Sequence, residues 1–128
     1  MRRHGILHSR LAGLLAALGH TDRFVIGDAG LPVPPGVEVV DLAVVPGVPS
    51  FTAVLDAVLA EVVVEHAVLA VEALGGPAGN AITDRLPHAA TVPHAELKNL
   101  CRDARFVVRT GEATPYANVV LGAGVAFS

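Results

Sequence analysis

The chain has 128 residues, 52% hydrophobic and 16% charged, and its 9 Lys/Arg against 12 Asp/Glu leave a formal charge of -3. This size and composition fit one globular domain over residues 1–128, and the slight acidity argues against a phosphate backbone or an anionic membrane surface as partner. Cys101 is the single cysteine, so an intrachain disulfide and a four-cysteine metal site are excluded.

No apolar run reaches the roughly 18 residues that a bilayer crossing requires, so no membrane insertion is expected. The opening Met1–Gly5 leads into a segment without a long apolar core or a small-residue cleavage site, and reads as mature domain. With one cysteine and no disulfide, a reducing cytoplasm is the expected compartment.

Ser9 is placed to cap a helix whose Leu11, Leu14, Leu15 and Leu18 recur every three or four residues, with Gly19 as a left-handed stop. Arg23 to Gly27 reads as a buried strand ending at Asp28. The prolines of Leu31–Gly36 then impose a stiff extended loop. Val37 to Val45 reads as a second strand, interrupted by an Asp41 whose charge is available to face a ligand. Ser50 starts a helix with Phe51, Val54, Leu55, Val58 and Leu59 on one face.

The second half of Glu61–Val71 is expected to be a strand, and Gly75–Asn80 a surface turn before a short helix to Leu86. A strand near Ala89–Val92 is followed by Pro93, which suits the start of a helix over 94–101, with His94 and Lys98 one turn apart and Cys101 in the core. Arg105–Arg109 and Val119–Phe127 read as strands flanking the polar loop Thr110–Asn118. Strands alternating with three or four helices predict a single compact layered α/β domain.

Among the 6 histidines, position selects His20. It lies in Gly19-His20-Thr21-Asp22, between a helix and a strand, where spacing alone favours a capping or core hydrogen bond, and where an exposed imidazole beside carboxylates also suits proton transfer. Asp28, at a strand's carboxyl end, is placed either to accept substrate hydroxyls or to close a turn onto the Gly30 amide. Tyr116 and Asn118 offer a phenol and an amide from one loop, a combination suited to a neutral sugar. Gly75–Gly79 lacks the Lys-Ser/Thr ending of a phosphate-gripping loop, and His4 and His8 lack a third metal ligand at motif spacing, so no cofactor or metal is expected.

Taken together, Gly5-Ile6-Leu7, Leu18–Asp22, Asp28-Ala29-Gly30-Leu31-Pro32-Val33-Pro34, Arg109–Asn118 and Gly122–Phe127 resemble, in order and spacing over nearly the whole chain, the D-ribose pyranase (ribose mutarotase) family. The resemblance implies that His20 is the general acid, that Asp28, His94, Tyr116 and Asn118 contact the sugar, that Ala117 supplies backbone between the last two, and that Lys98 matches a further site position. It also implies D-ribose as substrate and a homodecamer of two pentameric rings, with sites built from neighbouring subunits. The more distant L-fucose mutarotase family is similar around Gly19-His20 and Tyr116-Ala117-Asn118 but differs at the Asp28–Pro34 segment. An L-fucose or broader sugar mutarotase is therefore one alternative, and a non-catalytic ribose-binding accessory protein is the other.

Overall fold

The computed structural model describes residues 1–127. Its elements are α1 (Ser9–Ala16), β1 (Arg23–Gly27), β2 (Glu38–Asp41), α2 (Phe51–Leu59), β3 (Val64–Ala70), α3 (Pro77–Arg85), β4 (Ala90–Val92), α4 (His94–Leu100), β5 (Phe106–Arg109) and β6 (Val119–Ala123). The strands form one six-stranded sheet in the order β2-β5-β1-β6-β3-β4. β6 runs antiparallel to both of its neighbours, while the β2–β5, β5–β1 and β3–β4 pairs are parallel. The carboxyl ends of five strands and the start of β6 therefore share one edge of the sheet.

Alternation along the strands divides the core between two faces. Phe24 and Ile26, Phe106 and Val108, and Val119 and Leu121 pack with Leu11 and Leu15 of α1, with Phe51, Val54, Leu55 and Val58 of α2, and with Ile82 of α3. Val25, Val107 and Val120 point the other way, onto Leu31, Leu97, Cys101 and Ala104. The result is a sheet between two helical layers. Phe24 and Phe106 stack across the β1–β5 pair with centroids 5.3 Å apart, a contact worth about 0.5–1.5 kcal/mol beyond its buried area. The buried Cys101 thiol is pushed up to about 11 by desolvation, which makes it an inert part of this core.

Helix α2 starts at Ser50 as its pattern predicts, the Ser50 hydroxyl accepting from the Ala53 amide. Other boundaries differ from the sequence reading. His8, rather than Ser9, caps α1, its Nδ1 accepting from the Leu11 amide at 3.1 Å. Gly19 is not the left-handed residue after α1; Thr21 takes that conformation, with φ 73. β2 stops at Asp41 and β6 at Ala123, short of the expected Val45 and Phe127.

Gly75–Asn80 is not a surface turn throughout: Pro77 opens α3 and Gly79 lies buried inside it. A Cβ on Gly79 would stand 2.1 Å from the Ala73 carbonyl oxygen. Glycine here therefore permits close packing of the helix on the preceding 3-10 turn, Val71–Ala73. None of the helices is long and apolar enough to cross a membrane among the described residues.

Candidate active site

The carboxyl edge of the sheet gathers polar residues from separate parts of the chain. β1 ends at Gly27, whose missing side chain leaves room for Asn118: a Cβ there would stand 3.0 Å from Asn118 Oδ1 and 2.7 Å from Leu31 Cδ2. Asp28 follows, and the two side chains are joined twice. The Asp28 amide donates to Asn118 Oδ1 at 2.9 Å, and Asn118 Nδ2 donates to Asp28 Oδ2 at 3.2 Å. Asn118 is 1% exposed, so this pairing fixes which way its amide points.

Both sequence readings of Asp28 bear on its geometry. Its Oδ1 closes the turn by accepting from the Gly30 amide at 2.9 Å. It also lies half-buried at the strand's end, where ligands of open α/β sheets commonly bind. Just after the neighbouring β5, Thr110 is fully buried and its hydroxyl donates to the Gly27 carbonyl at 2.8 Å, tying the ends of the two strands together.

Tyr116 holds a positive φ of 63, and the Asn118 amide donates back to the Tyr116 carbonyl at 2.9 Å. In this tight turn Ala117 and Asn118 are buried while Tyr116 is exposed. The exposed Tyr116 ring meets the His94 ring edge-on, with centroids 5.1 Å apart. His94 begins α4, and its backbone amide donates to both carboxylate oxygens of Glu72, at 3.0 and 3.1 Å. Its Nδ1 is buried without a hydrogen-bond partner. Such an atom costs about 1–3 kcal/mol, and it is the kind of group that a bound hydroxyl satisfies.

Asp28, His94, Tyr116, Ala117 and Asn118 are therefore brought to one edge. Lys98 stands one turn along α4 from His94 and is exposed. His20 is not among them. It precedes β1, whereas Asp28 follows it, so a strand of about 16 Å separates them. His20 lies beside the start of β3, its Nε2 2.6 Å from Glu65 Oε2.

Asp41, expected to be available to a ligand, is instead occupied: Arg109 Nη1 donates to both of its carboxylate oxygens at 3.0 Å. Arg109 Nε also donates to the Ala29 carbonyl at 2.9 Å, holding the loop after β1.

The sequence reading passed over Thr110, Glu72 and Glu112 as structural partners of the site. Glu112 Oε1 accepts from the Phe51 amide at 3.0 Å and its Oε2 from the Thr114 hydroxyl at 2.9 Å. It thus joins the start of α2 to the loop that carries Tyr116. The Phe51 amide, aided by Thr114 and against the effect of burial, holds the Glu112 carboxyl below the usual glutamate range. The polar composition of Thr110–Asn118 was the available signal for Thr110 and Glu112; nothing local marks Glu72.

Residues 1–126 match the model of the RbsD / FucU transport protein family. The chain is 57% identical to D-ribose pyranase 1 of Rubrobacter xylanophilus and 56% identical to the D-ribose pyranase of Paracidovorax citrulli, in each case over 99% of this chain and 100% of the relative. Among solved structures, Bacillus subtilis RbsD complexed with D-ribose superposes with a TM-score of 0.93 at 44% identity, covering 99% of this chain and 100% of that one. The fucose mutarotase of Streptococcus pneumoniae, solved with L-fucose, shares the fold at a TM-score of 0.83 but only 18% identity, over 98% of this chain and 100% of that one. A match that runs from end to end at more than half identity leaves no other assignment: the chain belongs to the RbsD / FucU family, on its D-ribose pyranase side.

Proposed function

We propose that the chain is a D-ribose pyranase, an enzyme that interconverts D-ribopyranose and D-ribofuranose without a cofactor. The observation that carries this reading is its full-length correspondence to a solved chain bound to D-ribose, with curated pyranase relatives above half identity. The L-fucose reading has behind it a shared fold at 18% identity and the short similarities around Gly19-His20 and Tyr116-Ala117-Asn118.

D-Ribopyranose is a cyclic hemiacetal. To open it, a proton goes to the ring oxygen and another leaves the C1 hydroxyl, giving the aldehyde; attack of the C4 hydroxyl on C1 then closes the five-membered ring, with the proton transfers reversed. Atoms and electrons balance without a redox partner. In this mechanism His20 is the general acid towards the ring oxygen. His94, or a water oriented by Asp28, takes the hydroxyl proton, and Asn118 and Tyr116 hold hydroxyls in the reactive geometry. Lys98, one turn from His94 and exposed, is a peripheral sugar contact, and Ala117 contributes backbone only.

His20 stands at the opposite edge from the other site residues, so it serves a site completed by the neighbouring subunit. The sheet face beyond α4 supports association of copies: Arg23, His66, Val68, Leu100, Val120 and Gly122 line an open groove of about 610 Å3 there. The assembly we propose is a decamer of two pentameric rings, in the cytoplasm.

Saturation-transfer NMR on ribose tests the function directly. The protein should accelerate pyranose–furanose exchange, and His20→Ala should slow it by about 10²–10⁴-fold, the usual contribution of an acid–base group. Ribose binding with no acceleration by the native protein would make it an accessory binding protein instead.

A further inference from the structure

The His20 edge contains one partnership that the reaction scheme above does not use. We propose that Glu65 is the positioning residue of the proton donor. Its carboxylate takes the Nε2–H of His20, leaving Nδ1 as the nitrogen that exchanges a proton with the sugar. This rests on the reading of His20 as general acid.

The contact is short, 2.6 Å between Nε2 and Oε2, just under the roughly 2.7–2.9 Å usual for a charge-assisted N–H···O hydrogen bond. Both side chains are open to solvent, 51% for His20 and 42% for Glu65, and a pair so exposed adds little to stability. Its geometry is nevertheless imposed by the backbone on both sides.

On the histidine side, the Gly19 amide donates to the Asp22 carboxylate at 2.8 Å, and the Asp22 amide donates to the Gly19 carbonyl at 3.1 Å. The Gly19 amide, more than the nearby Arg105, holds the Asp22 carboxyl below the usual aspartate range. Thr21, at φ 73, donates its amide to the Ala123 carbonyl at 2.8 Å, and the Ala123 amide donates to the Asp22 carbonyl at 2.8 Å. The His20 turn is thereby attached to the end of β6.

On the glutamate side, β3 pairs with the same end of β6 through an irregularity: Val64 lies opposite Ala123 and His66 opposite Gly122, so Glu65 is the extra residue. Bulges of this kind redirect a side chain. Glycines in β6 and just past its end make room for it, since a Cβ on Gly122 would stand 3.2 Å from His66 Cβ and one on Gly124 3.3 Å from Glu65 Cβ. The Gly124 amide donates to the Val63 carbonyl at 2.8 Å. One strand end therefore fixes both partners.

The other ionisable groups of this region leave the pairing to Glu65. Asp22 is turned towards Gly19 and Arg105. Arg23, His66 and His88 line the groove beside Glu65, but Glu65 is the one described residue in hydrogen-bond contact with the His20 ring. An imidazole held at one nitrogen keeps a single orientation and a single tautomer, and its second nitrogen is free to give and retake a proton at one place.

The test is made on the assembled protein. Long-range proton–nitrogen NMR of the His20 ring should find the neutral form protonated at Nε2, with Nδ1 bare. Glu65→Ala should mix the tautomers and lower kcat about tenfold to hundredfold, the usual cost of losing a partner that fixes a histidine's tautomer and orientation, with KM and Tm nearly unchanged. Glu65→Gln, which retains an acceptor oxygen, should recover the tautomer and part of the rate, and in the His20→Ala background Glu65→Ala should cost nothing further. A proton on Nδ1 in the native protein, native kcat in Glu65→Ala, or a further loss in the double variant would each overturn the proposal. Native exchange by His20→Ala would instead overturn the general-acid reading beneath it, so the two failures are distinguishable.

Discussion

The two edges of the sheet carry polar residues of opposite character. At the carboxyl edge, Asn118, Thr110 and Ala117 are buried, and Asp28 is joined to Asn118 at both ends of the amide. At the other edge, His20 and Glu65 project into solvent from a turn and a bulge fixed by backbone bonds to Ala123 and Gly124. The first edge has the form of a receptor, with its polar atoms oriented and one of them, His94 Nδ1, unpartnered. The second has the form of a donor presented outward. A sheet cannot fold one edge onto the other, so in the assembly proposed above the two meet when one copy presents His20 to the next.

The largest effect that tests this contrast is the loss of exchange in His20→Ala, with the Tm unchanged, because an exposed residue is removed. His94→Ala should also be strongly impaired, with the phenol of Tyr116 losing its edge-on partner. Mixing subunits of these two variants then separates shared from self-contained sites. If each site takes His20 from one copy and His94 from another, random co-assembly leaves roughly a quarter of the sites intact, given a symmetric ring. If both residues of one chain served the same site, the mixture would be as inactive as its parents. Recovery of exchange on co-expression measures the difference.

Asn118→Ala belongs to the carboxyl edge and should behave differently from His20→Ala. It leaves the Asp28 amide and one Asp28 oxygen without these partners in a half-buried setting, at a cost of at most about 1–3 kcal/mol. A lower Tm should therefore accompany a raised KM for ribose, read by thermal unfolding and by sugar titration. A variant with native Tm and native KM would remove Asn118 from both the packing and the sugar contacts.

This contrast also explains what could be read in the sequence. β1, the end of β1 at Asp28, the start of α2 at Ser50 and the loop around Tyr116 were legible because each depends on a contiguous pattern. The strand between His20 and Asp28 was legible, but the separation that it imposes on the two residues was not drawn from it. Gly79 was misread because its reason for being glycine is the Ala73 carbonyl, a packing contact that no local pattern records. Asp41 was read towards a ligand and Glu65 was passed over for the same cause: Arg109 and His20, which define them, lie 68 and 45 residues away. The bulge left only the spacing of Gly122 and Gly124 as its trace.

The smallest effect concerns how the carboxyl edge is braced. Glu112 accepts from the Phe51 amide at the start of α2 and from Thr114 in the Tyr116 loop, so Glu112→Gln should weaken both contacts. The cost is about 1 kcal/mol by analogy with helix caps, or about 4 °C in Tm for a chain of this size. Because the folded chain holds Glu112 more acidic than the unfolded one, its stabilisation is complete above the ordinary glutamate value of 4.5 and is lost as pH falls through the lower folded value. The native protein and Glu112→Gln should therefore differ most near neutrality and converge in acid, a trend that thermal unfolding across pH reads directly. Asp22, at the other edge, is also held acidic, by the Gly19 amide, but it lies in an exposed turn where water replaces a lost bond. Asp22→Asn should narrow the same pH dependence by less, and an equal or larger effect there would mean that the donor edge is braced as firmly as the receptor edge.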